Sequence, residues 1–244
     1  MGQTTVLHVD HVSKQYGKKT VLEDVNFTID TPEIIGFVGP SGAGKTTLVK
    51  MIAGMDVPSD GKINVFGEQM PNLSLMERMG YMGQSDALYG ELTALQNLAF
   101  FGKLYGLKGK KLMERSYEVL DLVGLSKDAK KTVQQFSGGM KRRLSLSIAL
   151  IHEPALLILD EPTVGIDPVL RFKLWETFAD LRRSGVTIIV TSHVMDEADR
   201  CDRVGLIRDG GLIAIGTPSE LKHQANAKTM EEAFLAFGGV KDAH

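Results

Sequence analysis

Apolar positions along the chain follow two rhythms. Ile34 to Val38 is an apolar run without alternation, the pattern of a strand buried on both faces, and similar runs return at Leu156 to Leu159 and Val186 to Thr191. Val6 to Val12, Val21 to Ile29 and Ile63 to Phe66 are short β-rich runs separated by turn signals such as Pro58-Ser59-Asp60-Gly61. From about Leu92 to Leu150 the rhythm changes: Leu, Ala, Lys and Glu dominate, proline is absent, and apolar residues recur at helical spacing. A further helical stretch, Val169 to Arg183, separates the last two buried strands. Buried strands alternating with helices imply βαβ units and a parallel sheet.

The pattern therefore predicts an α/β core carrying one antiparallel β subdomain and one inserted α-helical subdomain, the latter at about residues 88–152. Near the end, Asp209-Gly210-Gly211 has the residues of a tight hairpin turn. Thr217-Pro218-Ser219-Glu220 has a capping-box pattern with proline at the first helical position. One domain is expected over residues 5–225, followed by a C-terminal helix and frayed tail over 226–244.

Composition narrows the partners. With 28 Lys+Arg against 30 Asp+Glu and a formal net charge of −2, nothing biases the whole chain toward nucleic acid or anionic lipid. Short basic clusters at Lys108 to Lys111 and Lys141 to Arg143 have no aromatic platform between them and read as solvated helix faces, so no nucleic-acid partner is expected. No segment approaches the ~18 consecutive apolar residues of a transmembrane helix. The opening MGQTTVLHVDH lacks the regions of a signal peptide, and Val6 stands where a myristoylation site has Ser or Thr. A cytosolic chain is expected, reaching a membrane only through a partner. The single cysteine, Cys201, excludes an intrachain disulfide and reads as a small buried hydrophobe.

Two motifs carry chemistry. Gly39-Pro40-Ser41-Gly42-Ala43-Gly44-Lys45-Thr46 fits GxxxxGK[ST] at every fixed position, with a buried strand before it and a helix-compatible run, Thr46 to Ala53, after it. Glycines let backbone N–H groups turn inward around a phosphate, and the helix N-terminus adds partial positive charge. Lys45 can reach the β- and γ-phosphates, and the Thr46 hydroxyl can ligate magnesium. A glycine-rich turn that binds nothing is the alternative, and the flanking strand and helix argue against it. Downstream, the strand Leu156 to Leu159 runs into Asp160-Glu161. In a protein with a phosphate loop such a strand delivers Asp160 to the magnesium shell. Glu161 projects to a different side, where it can orient or deprotonate an attacking water. In isolation the same pair is more often a solvated turn.

Phe136-Ser137-Gly138-Gly139-Met140, just before the acidic strand and opening the helical run Lys141 to Ile151, resembles the signature motif of ABC ATPases, written LSGGQ. Tyr16 stands where that family stacks an aromatic on adenine, and Gln84 where it has its Q-loop glutamine. Val164-Gly165-Ile166-Asp167 resembles the D-loop, and His193 the switch histidine. The resemblance runs from about Leu7 to Leu221. It implies a P-loop NTPase (RecA-like) core with ATP and Mg2+ as cofactors. By the same resemblance Tyr16, the loop from Gly39 to Thr46, Thr47 and Gln84 contact ATP, while Thr46, Gln84 and Asp160 serve the metal. Glu161 and His193 are then catalytic. Ser137, Gly138, Gly139 and Met140 would close over ATP held by a second subunit, giving two shared sites in a head-to-tail dimer. Taken singly, Asp167 before Pro168 also reads as an N-cap, and Ser137-Gly138-Gly139 as a helix-capping turn.

Two positions depart from the family pattern, Phe136 and Met140. Methionine cannot supply the hydrogen bonds of a glutamine amide, which leaves Ser137 and the glycine N–H groups. Met140 followed by Lys-Arg-Arg, the Phe101 to Leu107 segment and Ile215-Gly216-Thr217-Pro218 resemble the exporter branch called ABC-2 or multidrug type. The resemblance thus implies the ATP-hydrolysing subunit of an exporter of unidentified substrate. It would work as a homodimer with a separate transmembrane permease, at the cytoplasmic face of the membrane. A soluble ABC ATPase outside transport is the rival, but the chain has one cassette and no long heptad tract. A non-catalytic nucleotide-binding regulator is a second rival, against which stand Glu161 and His193.

Overall fold

In the computed structural model, residues 5–239 are described; residues 1–4, where part of the leader and acylation reading falls, and the tail 240–244 lie outside them. In chain order the first half runs β1 (Leu7–Tyr16), β2 (Lys19–Ile29), β3 (Ile34–Val38), α1 (Lys45–Ile52), β4 (Asp60–Val65), β5 (Glu68–Gln69) and β6 (Met79–Met82). Three helices follow, α2 (Ala94–Leu104), α3 (Gly109–Leu122) and α4 (Gly138–Leu150). Then come β7 (Leu156–Asp160), α5 (Pro168–Arg183), β8 (Thr187–Ser192), β9 (Arg203–Arg208), β10 (Gly211–Gly216), α6 (Pro218–Gln224) and α7 (Met230–Phe237).

The apolar runs become the centre of a six-stranded sheet of order β10-β9-β3-β8-β7-β6, parallel throughout except for β10. A four-stranded antiparallel sheet, β2-β1-β4-β5, covers one face. Side chains alternate between faces along a strand, so each central strand serves two cores. Ile35, Phe37, Leu156 and Ile158 pack with α1 and the antiparallel sheet. Ile34, Val38, Leu157 and Leu159 pack with the helices on the other side. That double burial is why these runs lack alternation.

The helical insertion is fastened at its start by one side chain. Asn97, fully buried, accepts a hydrogen bond from Tyr89 N–H (2.9 Å) and donates to the Tyr89 and Thr93 carbonyls (3.0 Å each). Thr93 and Gln96 add a capping box to α2. The hairpin at Asp209-Gly210 has positive φ at both residues, as a type I′ turn requires, and the capping box at Thr217 forms as expected.

Several expectations shift. β1 runs on past Val12 to Tyr16, through register irregularities against β2. β6 was not foreseen. Lys108, Lys110 and Lys111 are exposed as expected, but the solvated-face reading fails for Lys141 to Arg143, because Arg142 and Arg143 are buried and spend their donors on backbone carbonyls. Cys201 is buried.

Phe37 joins the two sheets, fully buried with its ring centroid 5.0 Å from that of Phe27. Phe37→Ala should lower the unfolding free energy by about 3–5 kcal/mol. Urea unfolding measures it, and a loss below about 1 kcal/mol would mean the sheets do not lock through this pair.

Candidate functional site

Parallel register brings the C-terminal ends of β3, β8 and β7 to one edge: Val38 pairs with Ser192, and Asp160 with Thr191. The loop Gly39 to Gly44 leaves β3 at that edge and enters α1. Glycine is required where the loop is tightest. A Cβ on Gly39 would lie 2.0 Å from the Ile207 carbonyl oxygen, and Gly44 has a φ of +106° with Leu22 2.6 Å from where a Cβ would be. Gly44 caps α1 without a side-chain bond, and the first turn holds no acid, so the positive end of the helix dipole is uncompensated.

Lys45, 5% exposed, donates from Nζ to the carbonyls of Gly39 (2.7 Å) and Pro40 (2.9 Å). Burial pushes its pKa down, and the nearby Glu161 and Asp160 oppose that shift. Asp160 has no solvent exposure. Its Oδ1 accepts from the hydroxyls of Thr46 (3.2 Å) and Thr191, and the Gln84 amide donates to the Thr46 hydroxyl (3.0 Å).

The second carboxylate oxygen, Asp160 Oδ2, is buried without a partner. An orphaned anionic oxygen beside a hydroxyl and an amide is a set of hard oxygen donors, which fits a magnesium ion that draws its other ligands from phosphate and water. Among the described residues no cluster of three or more His, Cys, Asp or Glu offers an all-protein metal cage.

Glu161 follows in the left-handed region, at φ +53°, its N–H held by the Thr191 hydroxyl (3.0 Å) and carbonyl (3.2 Å). That turn sends its carboxylate away from Asp160 and to within 3.3 Å of His193 Nδ1. Tyr16, half exposed, donates its hydroxyl to Asp56. The Asp56 bond raises the phenol pKa and a contact from the Thr47 side chain opposes it, so Tyr16 lies beside the end of the loop.

Two concavities result. One, of about 460 Å³, is lined by the loop, Thr46, Thr47, Gln84 and Glu161. The other, of about 330 Å³, is lined by Gly138, Gly139, Val164 and Gly165 together with Gln84, Glu161 and Arg142. Ser137 caps α4, its Oγ accepting from Met140 N–H at 3.3 Å, and a Cβ on Gly139 would stand 3.1 Å from the Gly165 carbonyl oxygen. Met140 is partly buried against the helical core. Asp167 caps α5 through bonds of 3.1 Å from the N–H groups of Val169 and Leu170.

The structure thus gathers Lys45, Thr46, Gln84, Asp160, Glu161 and His193 at one edge, with Tyr16 and Thr47 alongside. Ser137 to Met140 and Asp167 stand apart from the loop's cleft. Sequence reasoning missed Thr191, which no motif marks, and Arg142. Arg142 shares a helical stripe with Leu146 and Ala149, a spacing that could have flagged it as inward-facing.

A family model described as ABC transporter matches residues 22–164. The chain is 42% identical to the linearmycin resistance ATP-binding protein LnrL of Bacillus subtilis over 98% of its length and 77% of that protein. It is 42% identical to the probable multidrug ABC transporter ATP-binding protein YbhF of Escherichia coli over 95% of its length, which is 41% of the relative. It is 44% identical to the Nod factor export ATP-binding protein I of Sinorhizobium fredii over 88% of its length and 64% of that protein. Among solved structures, the ATP-binding subunit of an ABC transporter superposes with a TM-score of 0.87 at 29% identity, covering 96% of this chain and all of that one. An ATP-binding cassette solved as a dimer in a post-hydrolysis state with ADP and Pi superposes at 0.81 and 25% identity, over 86% of this chain and 98% of that one.

Lys45→Ala should weaken ATP binding by about 10–100-fold while leaving the fold intact, the loss expected for one charge-assisted bond. Calorimetric titration of the folded variant decides it; unchanged affinity would remove Lys45 from the phosphate site.

Proposed function

Because this chain belongs to the ABC transporter family, as an ATP-binding subunit and an ATPase, we propose that it powers export through a separate membrane permease by ATP-driven pairing with a second copy. Relatives named for linearmycin resistance, multidrug transport and Nod factor export support an exporter, with the cargo set by the permease. The ATPase domain is taken as residues 5–225, with the helical subdomain at 88–152 and a C-terminal helix and tail at 226–244.

One observation carries the reading: Gln84 and Glu161 line both the loop's cleft and the concavity in front of Gly138 and Gly139. A nucleotide in the cleft would therefore present its outer phosphate at the surface shared with the signature face, and the dimeric cassette that superposes on this chain supports a second copy meeting it there. Within one copy, the loop N–H groups and the α1 N-terminus hold the phosphates, and Lys45 exchanges its carbonyl partners for phosphate oxygens. Tyr16 offers its ring face to the adenine. Mg2+, when bound at Thr46, Asp160 and Gln84, would neutralise charge on the β- and γ-oxygens. Glu161 takes the proton of the attacking water, and His193, 3.3 Å from its carboxylate, holds it in place. On the second copy, the Gly138 and Gly139 N–H groups at the start of α4 face the γ-phosphate, and Asp167 stands in the loop between the copies. Met140 contributes packing, since its side chain is turned to the helical core.

Among the described residues no helix is long and apolar enough to cross a membrane. Membrane contact is assigned to a cavity of about 530 Å³ between β6 and the helical insertion, lined by Tyr81, Phe101, Tyr105 and Ile148 and reaching Gln84, Thr46 and Asp160 at its inner end. Beside it Tyr89, Phe100 and Leu104 are exposed. An apolar groove meeting the residue that bonds Thr46 suits a permease segment that must respond to bound nucleotide, at the cytoplasmic face of the membrane.

Cysteine crosslinks from the 84–92 loop to a co-purified permease in vesicles should form; crosslinks confined to the β9–β10 hairpin would contradict the assignment. Glu161→Gln should lower hydrolysis by roughly 10²–10⁴-fold and trap an ATP-dependent dimer. Light scattering after size exclusion should show that dimer with ATP and not with ADP. Adding Ser137→Arg should abolish it, and a dimer indifferent to that change would refute the shared site.

A further inference from the structure

Arg142 is buried at 7% exposure, on the inward face of α4, in the second turn after the Ser137 cap. Its guanidinium reaches four carbonyl oxygens on two other segments. Nη1 donates to Gly83 (2.7 Å) and Gln84 (3.0 Å), in the loop after β6. Nη2 donates to Asp160 and to Glu161 (2.7 Å), at the end of β7. The carboxylate of Asp86 lies 3.9 Å from Nη1. Thr46 also bridges these two segments, but through the Gln84 and Asp160 side chains, whereas Arg142 holds their backbones.

The two carbonyls on Nη2 flank the Glu161 Cα, which is held at positive φ. A non-glycine residue persists there only when its surroundings fix it. Thr191 fixes the N–H side, and Arg142 fixes the carbonyl side. The planar fork of arginine, with five donors, can hold two pairs of acceptors at once, whereas an ammonium offers one point of attachment.

We infer that Arg142 is a positioning residue that ties the signature helix to the backbones of Gln84 and Glu161. The carboxylate and the phosphate-contacting amide then take their reactive geometry from the placement of α4. This rests on the ATPase reading above and adds a link within one copy: α4 docked on a partner's nucleotide sets the hydrolytic side chains of its own site. Arg142 touches no substrate and acts only through the peptides it holds.

The test uses the full chain with Arg142→Met, similar in length and without donors, and Arg142→Lys, which keeps the buried charge. Binding of a fluorescent ATP analogue and single-turnover hydrolysis per bound nucleotide are measured together. Arg142→Met should bind within about threefold of wild type yet turn over ~10–100-fold more slowly per bound nucleotide, because the reacting groups are misplaced rather than lost. Arg142→Lys should recover part of the rate. Should Arg142→Met fail to fold, the same split in Arg142→Lys decides. A rate per bound nucleotide equal to wild type, or one falling only as the bound fraction falls, overturns the inference. A wild-type chain that binds but never hydrolyses, or whose turnover survives Glu161→Gln, overturns the ATPase reading and this one together.

Discussion

The parallel register of β3, β8 and β7 determines where every reactive side chain can stand. Hydrogen bonding puts Asp160 level with Thr191, and Val38 level with Ser192, so three strands deliver their last residues to one edge. A carboxylate brought there inside the protein is costly to desolvate unless donors meet it. Asp160 finds the Thr191 hydroxyl from the neighbouring strand and the Thr46 hydroxyl from α1. A slip of one residue in β7 would turn Asp160 to the opposite face and put a leucine at the cradle. The apolar matching on both faces of the sheet therefore positions the chemistry as well as stabilising the fold.

From that edge the site is completed by segments that obey looser rules. Loops carry Gln84, Glu161 and His193, and loops can move where strands cannot. The two helix N-termini with glycines, at Gly44 and at Ser137-Gly138, belong to different halves of the chain and face different concavities. A compact enzyme acting alone would aim both at one ligand. Their separation supports the proposed pairing, in which each copy supplies one of them to a shared site.

Much of this was legible in the sequence where local rules coincide with tertiary ones. Ile34 to Val38 was readable to the residue, since a run buried on both faces has no alternation to blur its ends. The Thr217 capping box and the Asp209-Gly210 turn were readable because their hydrogen bonds close within a few residues. The 10-residue β1 was cut short because its far half holds its place through irregular pairing with β2 rather than through apolar content. β6 is four residues between a 3₁₀ segment and a loop, too short to show a period. Arg142 was misread because charge normally means solvent. Its acceptors are carbonyls that no sequence displays, 58 and 59 residues away on one side and 18 and 19 on the other.

The Lys45 ammonium is never a free cation awaiting a ligand, since Gly39 and Pro40 already hold it. A newcomer must outbid two neutral carbonyls, and only oxygens bearing full negative charge at that spot do so. A nucleoside, with no phosphate, would leave the ammonium where it is. If the loop holds phosphate as proposed, the ammonium passes from carbonyl to phosphate and back again without ever standing bare, a latch that resets itself when the ligand leaves.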